Sequence, residues 1–269
     1  MSGLQIKDVF GQSEYRCRLH WGRHGAHRAA DRGDILVVVD VLSFTSSVAT
    51  AIAYDGQIIP CPDTASALEI AHQKNAIAAV SRRDAVENGG FSLSPISYIE
   101  MKARKRVAVK SLNGAVCSAL AYQLPFVFAA SLLNANAVAE SISCLLTNTE
   151  YNVTVLACGE RWEVPDGDGD LRFAIEDYLG AGAVLTGILN TIGRENTSPE
   201  AIVCAGAFTA SKPDITRILW ECESGQELRQ RGFDEDVRHA SQLDMYSAVP
   251  ILRDGVFVRD ESLTVGTEV

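Results

Sequence analysis

Residues 35–40 read ILVVVD. Five aliphatics in a row are too few for a helix and too uniformly apolar for a strand wetted on one face. They predict a central strand covered on both sides, and with it a sheet between two outer layers. Asp40 stands where that strand leaves the sheet. Thr45, Ser46 and Ser47 follow, ahead of an Ala, Val and Ile run with helical spacing. The hydroxyls therefore fall in or near a first helical turn, where backbone N–H groups lack partners. A strand-end carboxylate facing a helix N-terminus is a place to hold a metal ion and an anion.

The alternation continues through the middle of the chain. Strands are expected at 57–60, 77–80, 106–110, 126–130, 153–157 and 202–205, with helices near 64–73, 115–122, 135–146 and 175–189. This βαβα order predicts a three-layer α/β/α fold around a mostly parallel central sheet. No proline- or serine-rich linker, repeat or low-complexity run divides the chain. The expectation is one domain over 1–269, with 1–33 as an N-terminal extension and about 213–269 as an irregular tail packed on it.

A net charge of −10 argues against a nucleic-acid surface, which depends on clustered Lys and Arg, but a pocket can still be locally basic and take an anionic substrate. No stretch reaches about 18 uninterrupted apolar residues, so the expected location is the cytoplasm, with no membrane partner. Seven cysteines without a CxxC pair suit reduced, buried thiols. His20, His24 and His27 sit in LHWGRHGAHRAADRG, which reads as a surface loop with solvated histidines. Homodimerisation is expected only from the frequency of symmetric assemblies.

Open parallel sheets bind ligands at the carboxyl ends of their strands. Those ends carry Asp40, Ser43, Thr45 and Ser46; Arg82 and Arg83; Ser111, Asn113 and Gly114; Ser131 and Asn134; and Glu160 and Arg161. Ser131 or Asn134 alone is as well explained by helix capping. Asp166, Asp168 and Asp170 alternate with glycines as in a calcium loop, but Leu171 stands where an EF-hand needs glycine. The better expectation is an acidic, flexible loop feeding a helix that carries Glu176 and Asp177 in its first turns. Behind them, Gly180-Ala181-Gly182-Ala183 forms a small-residue face for close packing. The P-loop, the dinucleotide fingerprint and the GxSxG elbow are absent.

The blocks VVVDVLSFTSSVATA, VKSLNGAVCSALA, SLLNANAVAE, ACGE, AIEDYLGAGAV and AVPILRDG, in that order from about 34 to 255, resemble the 2-phosphosulfolactate phosphatases, the ComB-like family. The resemblance implies a compact α/β fold, Mg²⁺ as cofactor, and hydrolysis of (R)-2-phospho-3-sulfolactate to (R)-3-sulfolactate and phosphate on a coenzyme M route. Two departures stand out. The family's DVLRATT carries Ser43 and Phe44 in place of arginine and alanine. Its GERGG segment is Ser81-Arg82-Arg83-Asp84-Ala85, where Arg83 matches the family arginine and Arg82 replaces a glutamate. One cation is lost and another gained, which bears on which acid is accepted.

A phosphate monoester dianion repels its attacker, so hydrolysis calls for a divalent cation, cationic donors and an oriented nucleophile. Asp40, Glu160 and one or both of Glu176 and Asp177 are the expected Mg²⁺ ligands, with Asp40, Glu160 and Asn113 at the catalytic centre. Arg83, with Arg82 or Arg161, would grip phosphate or the substrate's acid groups. Thr45, Ser46, Asn113, Gly114 and Asn134 complete the expected hydrogen-bonding set. Covalent attack by Asp40 and attack by water both stay open. So do two other functions, a phosphatase for another small phosphorylated hydroxy acid and a non-catalytic anion-binding protein.

Overall fold

A computed structural model describes residues 9–261, apart from 100, 102–103 and 167–168. In chain order its strands and helices are β1 (Cys17–Trp21), α1 (Gly22–Arg32), β2 (Ile35–Val39), α2 (Phe44–Ala53), β3 (Gln57–Cys61), α3 (Thr64–Gln73), β4 (Ile77–Ala78), α4 (Arg82–Asn88), β5 (Arg106–Lys110), α5 (Gly114–Leu120), β6 (Val127–Ala130), α6 (Ala135–Asn148) and β7 (Val153–Ala157). There follow β8 (Glu160–Asp166), β9 (Gly169–Arg172), α7 (Ile175–Ile192), α8 (Pro199–Ser211), α9 (Ile215–Glu221), α10 (Glu223–Gln230), α11 (Asp234–Ala240), β10 (Pro250–Arg253) and β11 (Val256–Arg259).

Among the described residues, nine strands form one sheet in the order β1-β7-β2-β6-β10-β11-β3-β5-β4. The fold is α/β, with a mostly parallel sheet between helical layers. Every residue of β2 is buried. Ile35, Val37 and Val39 pack into the layer of α6, α7 and α8, while Leu36 and Val38 pack into the opposite layer with Phe44 and Val48 of α2. That two-sided burial is why the strand is uniformly aliphatic.

The sheet is not parallel throughout. β10 and β11 form a hairpin whose Asp254 and Gly255 both have positive φ, 51° and 76°, as a tight two-residue turn requires. The hairpin lies between two parallel groups, antiparallel to β6 on one side and to β3 on the other. Three successive antiparallel pairings reverse β3, β5 and β4 relative to β2. Strand direction also rotates by about 20–25° per step in a twisted sheet, roughly 110° over the five steps from β2 to β5. The residues after β5 consequently meet those after β2, as their hydrogen bonds show below.

Several expectations need correcting. The run 202–205 lies inside α8, not in a strand; four apolar residues fit either element, and the start signals Ser198, which accepts from the Ala201 amide, and Pro199 decide for helix. Residues 17–32 are an edge strand and a helix, not a surface loop. Arg18 donates from Nη1 to both Asp34 oxygens at 3.0 Å and so ties β1 to the start of β2. His24 and His27 are exposed on α1 and His20 is half-buried on β1. The segment after 212 is not irregular, since it supplies three helices and the central hairpin. On either side of the expected acidic loop, Glu160–Asp166 and Gly169–Arg172 pair as the antiparallel strands β8 and β9. Asp168 and the side chain of Asp166 lie outside the described residues.

Candidate active site

Asp40 follows the last residue of β2 and is 5% exposed. Its Oδ1 accepts from the Phe44 amide at 3.2 Å, in the first turn of α2. Its Oδ2 accepts from the Gly114 amide at 2.8 Å and the Ser111 hydroxyl at 3.3 Å. Gly114 opens α5, and a Cβ there would lie 2.8 Å from Asp40 Oδ2, so only glycine lets the amide approach this closely. The preceding residue holds a second carboxylate, with Asn113 Nδ2 donating to Glu160 Oε2 at 2.9 Å. Two consecutive residues after β5 thus present Asp40 from β2 and Glu160 from β8.

Glu176 and Asp177, in the first turn of α7, are 2% and 3% exposed. Asp177 accepts from the Val41 amide at 2.7 Å and the Gly159 amide at 2.9 Å. It therefore clamps the ends of β2 and β7 together over the helix N-terminus, where negative charge is favoured. Gly180 permits the approach: a Cβ there would lie 2.5 Å from Val41 Cγ2 and 2.9 Å from Val39 Cγ1.

The four carboxylates feel one another. Burial, then the charges of Asp40 and Glu176, push Glu160 up to about 7. Burial raises Asp40 and Glu176 as well, and burial with Asp40 and Glu176 raises Asp177 well above the usual carboxylate range. Two cations oppose this, Arg82 acting on Asp40 and Arg172 on both Glu160 and Glu176. Among the described residues, no group of three or more His, Cys, Asp and Glu side chains is disposed to hold a metal ion. The oxygen donors nevertheless suit magnesium, which takes one or two carboxylates and keeps several waters.

Some expected contributors are spent elsewhere. The Thr45 hydroxyl donates to the Asp40 carbonyl at 2.8 Å and accepts from its amide at 3.0 Å. The Ser46 hydroxyl donates to the Val41 carbonyl at 2.8 Å. Both brace the β2–α2 turn, and neither proton is free for phosphate. Asn134 is fully buried, accepting from the Ser131 amide at 2.9 Å and donating to the Ala248 carbonyl at 3.1 Å, so it is a cap and a tie to the C-terminal segment. Arg83 is exposed on α4 with no hydrogen bond or ion pair among the described residues, and its neighbour Arg82 turns to the site instead. Arg161 pairs with Asp170 across the hairpin, leaving its buried Nε without a partner.

Arg172, absent from the expected set, faces Glu160 in the β8–β9 register. It lies 5.6 Å from the Trp162 ring centroid and pairs with Glu223. A cleft of about 380 Å³ opens here, lined by Trp162, Arg172, Phe173, Glu176 and Cys222 among others.

Residues 23–255 match the model of the 2-phosphosulpholactate phosphatase family. The chain belongs to this family. It is 29% identical over 229 residues to a probable 2-phosphosulfolactate phosphatase of Pseudothermotoga lettingae, covering 84% of this chain and 92% of the relative. A probable 2-phosphosulfolactate phosphatase of Carboxydothermus hydrogenoformans is 28% identical over 232 residues, at 84% and 90% coverage. One of Thermotoga maritima is 26% identical over 228 residues, at 84% and 92%. The family name denotes a phosphoric monoester hydrolase. The two sequence departures described above are neighbours in space, because Arg82 Nη2 donates to Ser43 Oγ at 2.7 Å.

Proposed function

We propose that the chain is a magnesium-dependent phosphomonoester hydrolase that converts (R)-2-phospho-3-sulfolactate and water to (R)-3-sulfolactate and phosphate. The observation that carries this is the pair Asn113-Gly114, whose consecutive residues hydrogen-bond two carboxylates, Asp40 after β2 and Glu160 of β8, the latter with a pKa near 7. Asp40 and Glu160 would hold the metal ion, with Glu176 reaching it through water, while Asp177 keeps the strand ends in place. A bound magnesium ion would neutralise phosphoryl charge and polarise the bond that breaks. Arg82 and Arg172 would bind the anionic groups of the ester. Three donors already engage the Asp40 carboxylate, which lowers its nucleophilicity and favours water as the attacker. The water oxygen bonds to phosphorus as the ester bond breaks, and the hydroxy acid leaves carrying a proton. The cytoplasmic location and the coenzyme M route come with this assignment.

A second substrate, another small phosphorylated hydroxy acid, is favoured by the contact of Arg82 with Ser43, which sets a guanidinium where the family pattern has a different pair. The deciding experiment is phosphate release from 2-phospho-3-sulfolactate, phospholactate and related esters, with Mg²⁺ and with EDTA. Metal-dependent release that prefers the sulfonate supports the first substrate, and preference for another ester supports the second. Asp40→Asn should lower release at least roughly a hundredfold, and near-normal turnover in that variant would remove the centre proposed.

A further inference from the structure

The C-terminal segment brings a fifth carboxylate close to the site. Asp236 of α11 is 1% exposed. Its Oδ2 accepts from Arg82 Nε at 2.9 Å and its Oδ1 from the Ser94 hydroxyl. Arg82 Nη2 donates to Ser43 Oγ at 2.7 Å and to the Leu93 carbonyl at 3.1 Å. The Phe233 ring, at the cap of α11, lies 5.5 Å from the guanidinium carbon. Nη1 has no partner among the described residues, and the side chain keeps 16% exposure.

A guanidinium fixed through Nε and Nη2 has a single orientation, so its open Nη1 edge points one way. The positive charge of Arg82 acts on Asp40 against the effect of burial, and its Ser43 contact sets it three residues along the chain from that carboxylate. A carboxylate buried as deeply as Asp236 is costly unless paired, and its pairing is spent on aiming that edge. We propose that Asp236 is the positioning residue of Arg82, so that a helix from the C-terminal segment sets the guanidinium that takes the substrate's anionic group. This rests on the phosphatase assignment only for the identity of the anion.

The test is a cycle of wild type, Asp236→Asn, Arg82→Gln and the double variant, with Phe233→Leu as a milder displacement should Asp236→Asn not fold. Orthophosphate binding in Mg²⁺ buffer is measured by calorimetry, and KM and kcat on 2-phospho-3-sulfolactate are measured alongside. Asp236→Asn, or Phe233→Leu in its place, should weaken orthophosphate by about tenfold and raise KM more than it lowers kcat, yet add nothing once Arg82 is glutamine. Unchanged affinity and KM, or an equal loss in the Arg82→Gln background, would overturn the inference. So would a wild type that binds no orthophosphate. A wild type that binds orthophosphate and shows the coupling but cleaves no ester would refute the phosphatase assignment and leave the positioning role standing.

Discussion

A carboxyl group with a pKa near 7 is half protonated at neutral pH, and Glu160 owes that value first to burial and then to Asp40 and Glu176. Metal binding needs the ionised form, so Mg²⁺ affinity should climb as pH rises through 7, with protons released on binding. Calorimetry in buffers of different ionisation heat reads those protons directly. In EDTA the same shift costs stability. Unfolded Glu160 titrates near 4.5 and the folded group near 7, so its contribution is intact below 4.5 and is lost as pH rises to about 7. The Tm of wild type minus that of Glu160→Gln should therefore fall across this window, and a flat difference would place Glu160 in an ordinary solvated setting. Gly114→Ala should lower both activity and stability, the latter by about 1–3 kcal/mol, because its methyl group would displace Asp40; urea unfolding and phosphate release check it. That Asp40, Asn113, Glu160, Glu176 and Asp177 lie at strand ends and helix starts is legible from the hydrophobic pattern, which sets where those elements begin and end. Thr45, Ser46 and Asn134 spend their side chains on neighbouring backbone, which sequence alone does not separate from ligand binding at the same turn positions. Arg172 depends on the register of the β8–β9 hairpin and on Glu223, 51 residues on, and Asp236 on Arg82, 154 residues away.

At the scale of elements, α7 shows how a small-residue stripe serves a site. Gly180 lets its first turn lie against Val39 and Val41, and Gly182 faces the Cys204 carbonyl and Phe208 of α8. Gly180→Ala should push α7 away from β2, stretch the Asp177 clamp and cost about 1–3 kcal/mol, seen in chemical denaturation together with lower turnover. Normal stability in that variant would mean the helix tolerates the extra methyl by sliding. The close-packing face was readable from GAGA, and α3 was readable from periodicity to its end residues, 64–73. The 202–205 run was not, since a short apolar stretch carries no period of its own. The Asp254-Gly255 turn carried a hairpin signal in plain sight, but its place within the sheet depends on partners far away in sequence.

For the whole molecule, β10 and β11 are the only described strands that link the two parallel groups of the sheet. Phe257 of β11 is fully buried, pairs with Ile58 of β3 and meets Phe44 at a ring separation of 6.2 Å. Phe257→Ala should cost about 3–5 kcal/mol and loosen both groups together, so circular dichroism and near-ultraviolet spectra should report one transition at a lower temperature. Two separate transitions would show that the groups stand independently. During synthesis the hairpin emerges after every other element described here, while β6 and β3 already present edges awaiting it. Each such edge is a template for mispairing with another chain. From the completion of β7 until β10 and β11 are made, the growing polypeptide holds both parallel groups with its sheet open down the middle, and crowded or overproduced nascent chains are most vulnerable to aggregation in that interval.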